Sequence, residues 1–206
     1  MNAVPDSQQA ARGRRTLVAL AALFFIPLLI AFWLYYGGST WRPVGGSNKG
    51  DLIDPARPLP SVSLPTPSGT ATDEGFLRGK WTVLYVGDGR CDERCRKALY
   101  LSRQTRIALN KDMDRVQRVF LASGNCCDSA FLGSEHPDLL VAKLEGTGAE
   151  SLLAQFPVLD GQPVAQAGRI YVVDPLGNLL MSYSAAAPDK ALLQDLKKLL
   201  KLSHIG

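Results

Sequence analysis

From Leu17 to Tyr36 the chain carries no charged residue, and "LVALAALFFIPLLIAFWLYY" is apolar on every face of a helix. A run of about 20 such residues is what a helix needs to cross ~30 Å of hydrocarbon, so residues 16–36 are predicted to be a transmembrane anchor. Trp33, Tyr35 and Tyr36 gather at its far end, where aromatic rings favour the lipid interface. Arg12, Arg14 and Arg15 stand just before the run; they predict a cytoplasmic tail over 1–15 and export of everything beyond. A cleaved signal peptide would have a shorter apolar core, and no small-x-small site follows Tyr36.

After the anchor the periodicity disappears. "GGSTWRPVGGSNKGDLIDPARPLP" is rich in Gly, Pro, Ser and Asn, and residues 37–57 are read as a flexible linker, with Trp41 and Arg42 at the membrane interface. Pattern returns from Pro58 onward. "SVSLPTPSGT" is a short strand or hairpin piece broken by prolines, and "KWTVLYVG" is a continuous apolar strand of the kind buried on both faces. A helix is predicted from about Cys91 to Leu109, then a second strand in "RVQRVFLAS". "HPDLLVAKLEGTGAESLLAQF" shows helical periodicity interrupted by Gly146 and Gly148. "GRIYVVDPLGNLLMSYS" reads as two strands joined by a turn at Asp174, Pro175 and Gly177. "DKALLQDLKKLLKL" closes the chain as an amphipathic helix. Strand, helix, strand, helix, hairpin, helix is the order of the thioredoxin fold. The expectation for 58–206 is therefore an α/β, thioredoxin-like domain with a central mixed sheet flanked by helices.

Charge and composition narrow the class. The net charge of +4 is mild, and no basic stripe interleaved with aromatics is present, which argues against nucleic-acid binding. Four cysteines are too few for a disulfide-dense mini-protein, but they fall into two local pairs, Cys91 with Cys95 and Cys126 with Cys127. In an oxidising compartment a thiol needs a reason to stay free.

Cys91 and Cys95 sit where the first buried strand gives way to a helix. The helix N-terminus favours a thiolate, and Arg90, Arg94 and Arg96 add to that field against Asp92 and Glu93. A thiolate attacks disulfides and also binds soft metals such as Cu(I), so the pair serves exchange, metal capture or a purely structural bridge. Cys91 is expected to be the more exposed, attacking sulfur and Cys95 the resolving one. Cys126 and Cys127 follow the next strand. If the two strands are parallel, their C-terminal loops share one sheet edge, bringing all four sulfurs close. Such a cluster permits a soft-metal site or a second disulfide relay; ordinary loop cysteines or a vicinal bridge are the alternatives. His136 is expected at the surface or capping a helix, His204 at a frayed end, Asp174 in its turn, and Pro163 either as a cis-proline facing the cysteines or as a loop residue.

"GKWTVLYVGDGRCDERCRKAL" and "RIYVVDPLGNLL" resemble the Sco/SenC family, membrane-anchored thioredoxin-like proteins of cytochrome c oxidase assembly. The resemblance spans about Pro58 to His204. It implies that Cys91 and Cys95 match the two copper-binding cysteines, and that the chain acts in oxidase biogenesis, through thiol reduction of the oxidase copper site or copper delivery to it. Its partners would be the membrane-embedded oxidase or its assembly factors. Its place would be the inner (cytoplasmic) membrane, crossed once, with the C-terminal domain in the periplasm. A general periplasmic thiol–disulfide oxidoreductase and a non-catalytic scaffold are the alternatives. Three departures mark this chain. The family's third copper ligand is a histidine five residues before the strand tyrosine, and counting back from Tyr171 reaches Gln166, between Ala165 and Ala167. Arg96 replaces the proline usual after the second cysteine, and the expected aspartate-rich segment reads "SGNCCDSAFLG". An amide is a poor Cu(I) ligand, which tips the expected chemistry toward thiol–disulfide work.

Overall fold

The computed structural model describes residues 7–37, 46–159, 161–184, 186–203 and 205–206. Two compact units divide the chain, Met1–Gly46 and Ser47–Gly206. Among its described residues the first carries helix α1, Ser7–Tyr36, of which Ala11–Tyr36 is long and apolar enough to cross a membrane.

The second unit is built on a six-stranded mixed sheet in the order β1-β6-β5-β2-β3-β4. The strands are β1 Asp51–Pro58, β2 Trp81–Asp88, β3 Val116–Ser123, β4 Leu139–Lys143, β5 Ile170–Val173 and β6 Asn178–Tyr183. β2 runs parallel to β3 and antiparallel to β5, so it lies at the centre. Its side chains alternate between the two faces of the sheet. Trp81, Val83 and Tyr85 join one core with helices α2 (Glu93–Ala108) and α5 (Ala191–Leu202). Leu84 and Val86 join the other core with α4 (Thr147–Leu153). Burial on both faces is why β2 reads as an unbroken apolar run.

Two segments differ from the sequence expectation. The linker expected over 37–57 ends sooner, because Asp51–Pro58 pairs with β6 in the register Asp51↔Ser182 and Leu52↔Met181. As an exposed edge strand, β1 tolerates Pro55 and shows no apolar alternation, so composition disguised it. The preceding residues are held as well. Asp195 accepts from the amides of Lys49 and Gly50 at 2.7 and 2.9 Å and from the Tyr183 hydroxyl at 3.0 Å. The helical periodicity expected over 136–156 resolves into strand β4 followed by α4, since a short apolar run fits either structure until tertiary pairing decides. Trp41, Arg42 and His204 lie outside the described residues. The Asp174 turn forms as expected, its carboxylate accepting from the amides of Leu176 and Asn178.

Candidate functional site: two cysteine pairs on one sheet edge

Asp88 ends β2 and starts the turn that carries the first pair. Its carboxylate accepts from the Arg90 amide at 2.9 Å and from Arg90 Nε at 3.1 Å; the amide bond first, and then the side chain, hold it below the usual carboxylate range. Cys91 donates its amide to the Asp88 carbonyl and takes a left-handed backbone, φ 50°. Asp92 then caps α2, accepting from the Cys95 amide at 3.0 Å. Cys91 therefore stands just outside the helix and Cys95 within its first turn. Their sulfurs are joined in a disulfide with the Cα atoms 5.0 Å apart. Both residues are only 2% exposed, so Cys91 is not the more exposed of the two as expected. Tyr85 lies in the same core, and burial, with Asp92 nearby, pushes its phenol up to about 12, so it stays neutral.

The second pair leaves the sheet beside the first. Asp88 is paired with Ser123, and the Gly89 amide donates to the Ser123 carbonyl at 2.8 Å. The loop then runs through Cys126 and Cys127, which are half-buried and joined to each other. Asp128 caps α3, Ser129–Glu135. Parallel pairing of β2 with β3 thus brings the two cysteine loops together. It does not assemble a metal site: no cluster of three or more His, Cys, Asp and Glu side chains is placed to hold a metal among the described residues. Cys126 and Cys127, considered above as metal ligands, are paired with each other in this structure.

Arg96 is the residue that sequence reasoning undervalued. Its Nε donates to the Cys91 carbonyl at 3.3 Å, its Nη2 pairs with Asp128 at 3.1 Å, and its guanidinium lies 4.1 Å from the Phe131 ring centre. One side chain, on the helix of the first pair, grips the cap of the helix behind the second. His136 caps a helix as expected, closing α3 with its amide donated to the Leu132 carbonyl, but it is buried and not at the surface. It is 4% exposed, and its Nδ1 lies 3.2 Å from Arg118, whose side chain is fully buried under α2. Gln166 is exposed in the loop before β5, and the bond preceding Pro163 is not among the cis peptides.

Burial first, then Arg118 and Arg103, holds His136 below its ordinary value, with Asp138 and Glu135 opposing. The unfolded chain then binds a proton near pH 6.5 that the folded chain refuses. Stability from this site is complete above that pH and is lost as pH falls below it. His136→Gln should therefore lose less stability than the natural chain between about pH 7.5 and about pH 5.5, read from urea midpoints.

A family profile described as transmembrane-like, thioredoxin-like, C-terminal domain matches residues 81–203, more than half the chain. The chain belongs to this family. Within this thioredoxin-like family member the matched segment runs from the central strand through both cysteine pairs to the last helix. No curated protein matches the sequence. Among solved structures, apo Sco1 from Thermus thermophilus aligns with a TM-score of 0.58 and 18% identity, over 76% of this chain and 99% of that one. Yeast Sco1 with copper bound aligns with a TM-score of 0.59 and 17% identity, over 73% and 96%. A disulfide isomerase-like protein from Bacteroides thetaiotaomicron aligns with a TM-score of 0.54 and 19% identity, over 76% and 96%. At these identities the likeness is one of fold, and it agrees with the resemblance to Sco/SenC proteins noted from the motifs.

Proposed function

We propose that this chain is a membrane-anchored thiol–disulfide exchange protein of Sco type, with Cys91 and Cys95 as its redox couple. Its client would be the copper-site thiols of cytochrome c oxidase during biogenesis, reached from a periplasmic domain on the α1 anchor. The observation that carries the reading is the Cys91–Cys95 disulfide at the N-terminus of the helix that follows the central strand. Two cysteines so placed close and open a disulfide without moving the sheet. The helix end and Arg96 favour the thiolate that exchange requires. The asymmetry of charge around α1, with Arg12, Arg14 and Arg15 on its N-terminal side, supports the orientation.

Copper would be cargo here, and the residues present do not fit the pattern of two thiolates and an imidazole. Gln166 offers an amide, and the His136 ring is already engaged with Arg118. The likeness to copper-bound yeast Sco1 keeps delivery of Cu(I) as the second reading.

The test is a redox titration of the full chain in detergent, with the Cys91–Cys95 disulfide followed by alkylation and peptide mass. A potential between about −270 and −120 mV, with turnover of a reporter disulfide, is the expected result. A potential below about −300 mV would mark a structural bridge and overturn the proposal. One Cu(I) retained by the reduced chain against a chelator, and lost in Cys91→Ser, would favour delivery instead.

A further inference from the structure

Cys91 and Cys95 are buried, each 2% exposed, while Cys126 and Cys127 are half-exposed. A redox couple that meets a client through a thiolate needs an accessible sulfur. The first couple is closed to a protein client in this state; the second is less buried. Cys127 also lines an open groove of about 360 Å³, together with Leu132, His136, Leu139 and the Thr66–Thr70 turn.

The two loops touch at the backbone. A Cβ built on Gly89 would stand 2.6 Å from Cys126 Cα, 2.8 Å from the Asn125 carbonyl and 3.0 Å from Cys126 Cβ. A glycine two residues before Cys91 therefore lets the Cys126 loop come closer than any other side chain would allow. All four cysteines belong to, or pack against, one apolar cluster. Arg96 fastens the two loops together by holding the Cys91 carbonyl and Asp128 at once.

We propose that Cys126 and Cys127 are a second redox couple, the one that meets the client, and that it exchanges electrons with Cys91–Cys95 across the Gly89–Cys126 contact. This rests on the thiol–disulfide reading above. With the inner pair first reduced by a dithiol small enough to reach sulfurs closed to a protein client, the Cys91 thiolate attacks the Cys126 sulfur. The Cys126–Cys127 bond breaks, a Cys91–Cys126 bond forms, and Cys127 leaves as a thiolate that takes up a proton. Cys95, giving up its own proton, then attacks Cys91 and releases Cys126. The inner pair is oxidised by two electrons and the outer pair reduced by two. The outer dithiol passes them to a client disulfide by the same two steps, starting from Cys127.

The experiment uses the full chain in detergent. A Cys95→Ser/Cys127→Ser variant retains only Cys91 and Cys126. Reduced and gently reoxidised, it should form a Cys91–Cys126 bond within one chain in most molecules. Tryptic peptides reveal it, because cleavage after Arg90 and Arg94 isolates Cys91. Two free thiols, or bonds only between chains, would overturn the relay. In parallel, Cys126→Ser/Cys127→Ser should slow reduction of a protein disulfide by about tenfold or more, since exchange rates follow access to the sulfur. The Cys91–Cys95 potential should stay where it is in the natural chain. Undiminished turnover in that variant overturns the relay and leaves the function of Cys91–Cys95 standing. A natural chain that turns over no disulfide removes both.

Discussion

Alanine in place of Arg118 is expected to cost the folded domain about 3–5 kcal/mol, the range for breaking a buried ion pair by removing one partner. Arg118 projects from β3 toward α2 with a side chain of 0% exposure. It donates to the Leu99 carbonyl at 2.8 Å, the Ser102 hydroxyl at 3.0 Å and Asp138 at 2.9 Å, and its Nη2 lies 3.2 Å from His136 Nδ1. Burial lowers the guanidinium to about 10, with Asp138 opposing, so it remains a cation at neutral pH. Its removal leaves those partners short of a donor inside the core and opens a void between sheet and helix. Methionine at the same position restores volume without the donors, and should keep more stability than alanine. Urea midpoints of the two variants, at unchanged denaturant slope, measure both effects. An alanine variant with the natural midpoint would show that the network is ornamental. The consequence reaches the site, because Leu99 and Ser102 belong to the helix that carries Cys95, and Asp138 and His136 adjoin α3 beyond Cys127. One buried cation supports the scaffolding behind both cysteine loops.

Much of this scaffold was legible in the sequence. β2, β3, the β5–β6 hairpin and α5 are strongly patterned because each buries one or two complete faces. The meeting of the two cysteine loops also followed from a rule of topology, since parallel neighbours end on the same edge. What escaped was governed by partners rather than by pattern. β1 and β4 are edge strands whose half-exposed residues carry little alternation. Arg118 occupies the same strand face as Val116 and Phe120, and a charge at an inward-facing position was a signal that a buried partner existed. Its partners, His136 and Asp138, come from a different segment, and nothing local to them announces the pairing. Arg96 likewise reads as one more surface charge until the Cys126 loop is placed beside it. The equal burial of Cys91 and Cys95 depends on the apolar cluster they share with Val83, Tyr85 and Leu132, which no spacing encodes.

Serine at Cys91 should abolish exchange with a reporter disulfide, whereas serine at Cys95 should stop turnover after the first attack. A hydroxyl does not ionise near neutral pH, so it neither attacks sulfur nor closes a disulfide. The two positions differ in where they stand on the helix. Cys91 precedes the Asp92 cap, beside the Gly89 contact and with its carbonyl held by the Arg96 guanidinium. Cys95 lies inside the first turn with its amide committed to Asp92, turned toward Cys91 at a Cα separation of 5.0 Å. On the proposed function, attack on a neighbouring sulfur, that of Cys126 in the relay, therefore falls to Cys91, and resolution to Cys95. In Cys95→Ser the bond that Cys91 forms, to Cys126 or to the reporter, has no Cys95 thiol to resolve it, so a disulfide at Cys91 accumulates in place of product. Non-reducing electrophoresis and peptide mass would show it, and dithiothreitol would dissolve it. Cys91→Ser should show no mixed disulfide through position 95. If the roles were reversed, the trapped species would appear in Cys91→Ser instead. If both variants turned over the reporter at the natural rate, Cys91 and Cys95 would be a structural clasp, and the chemistry of the edge would belong to Cys126 and Cys127 alone.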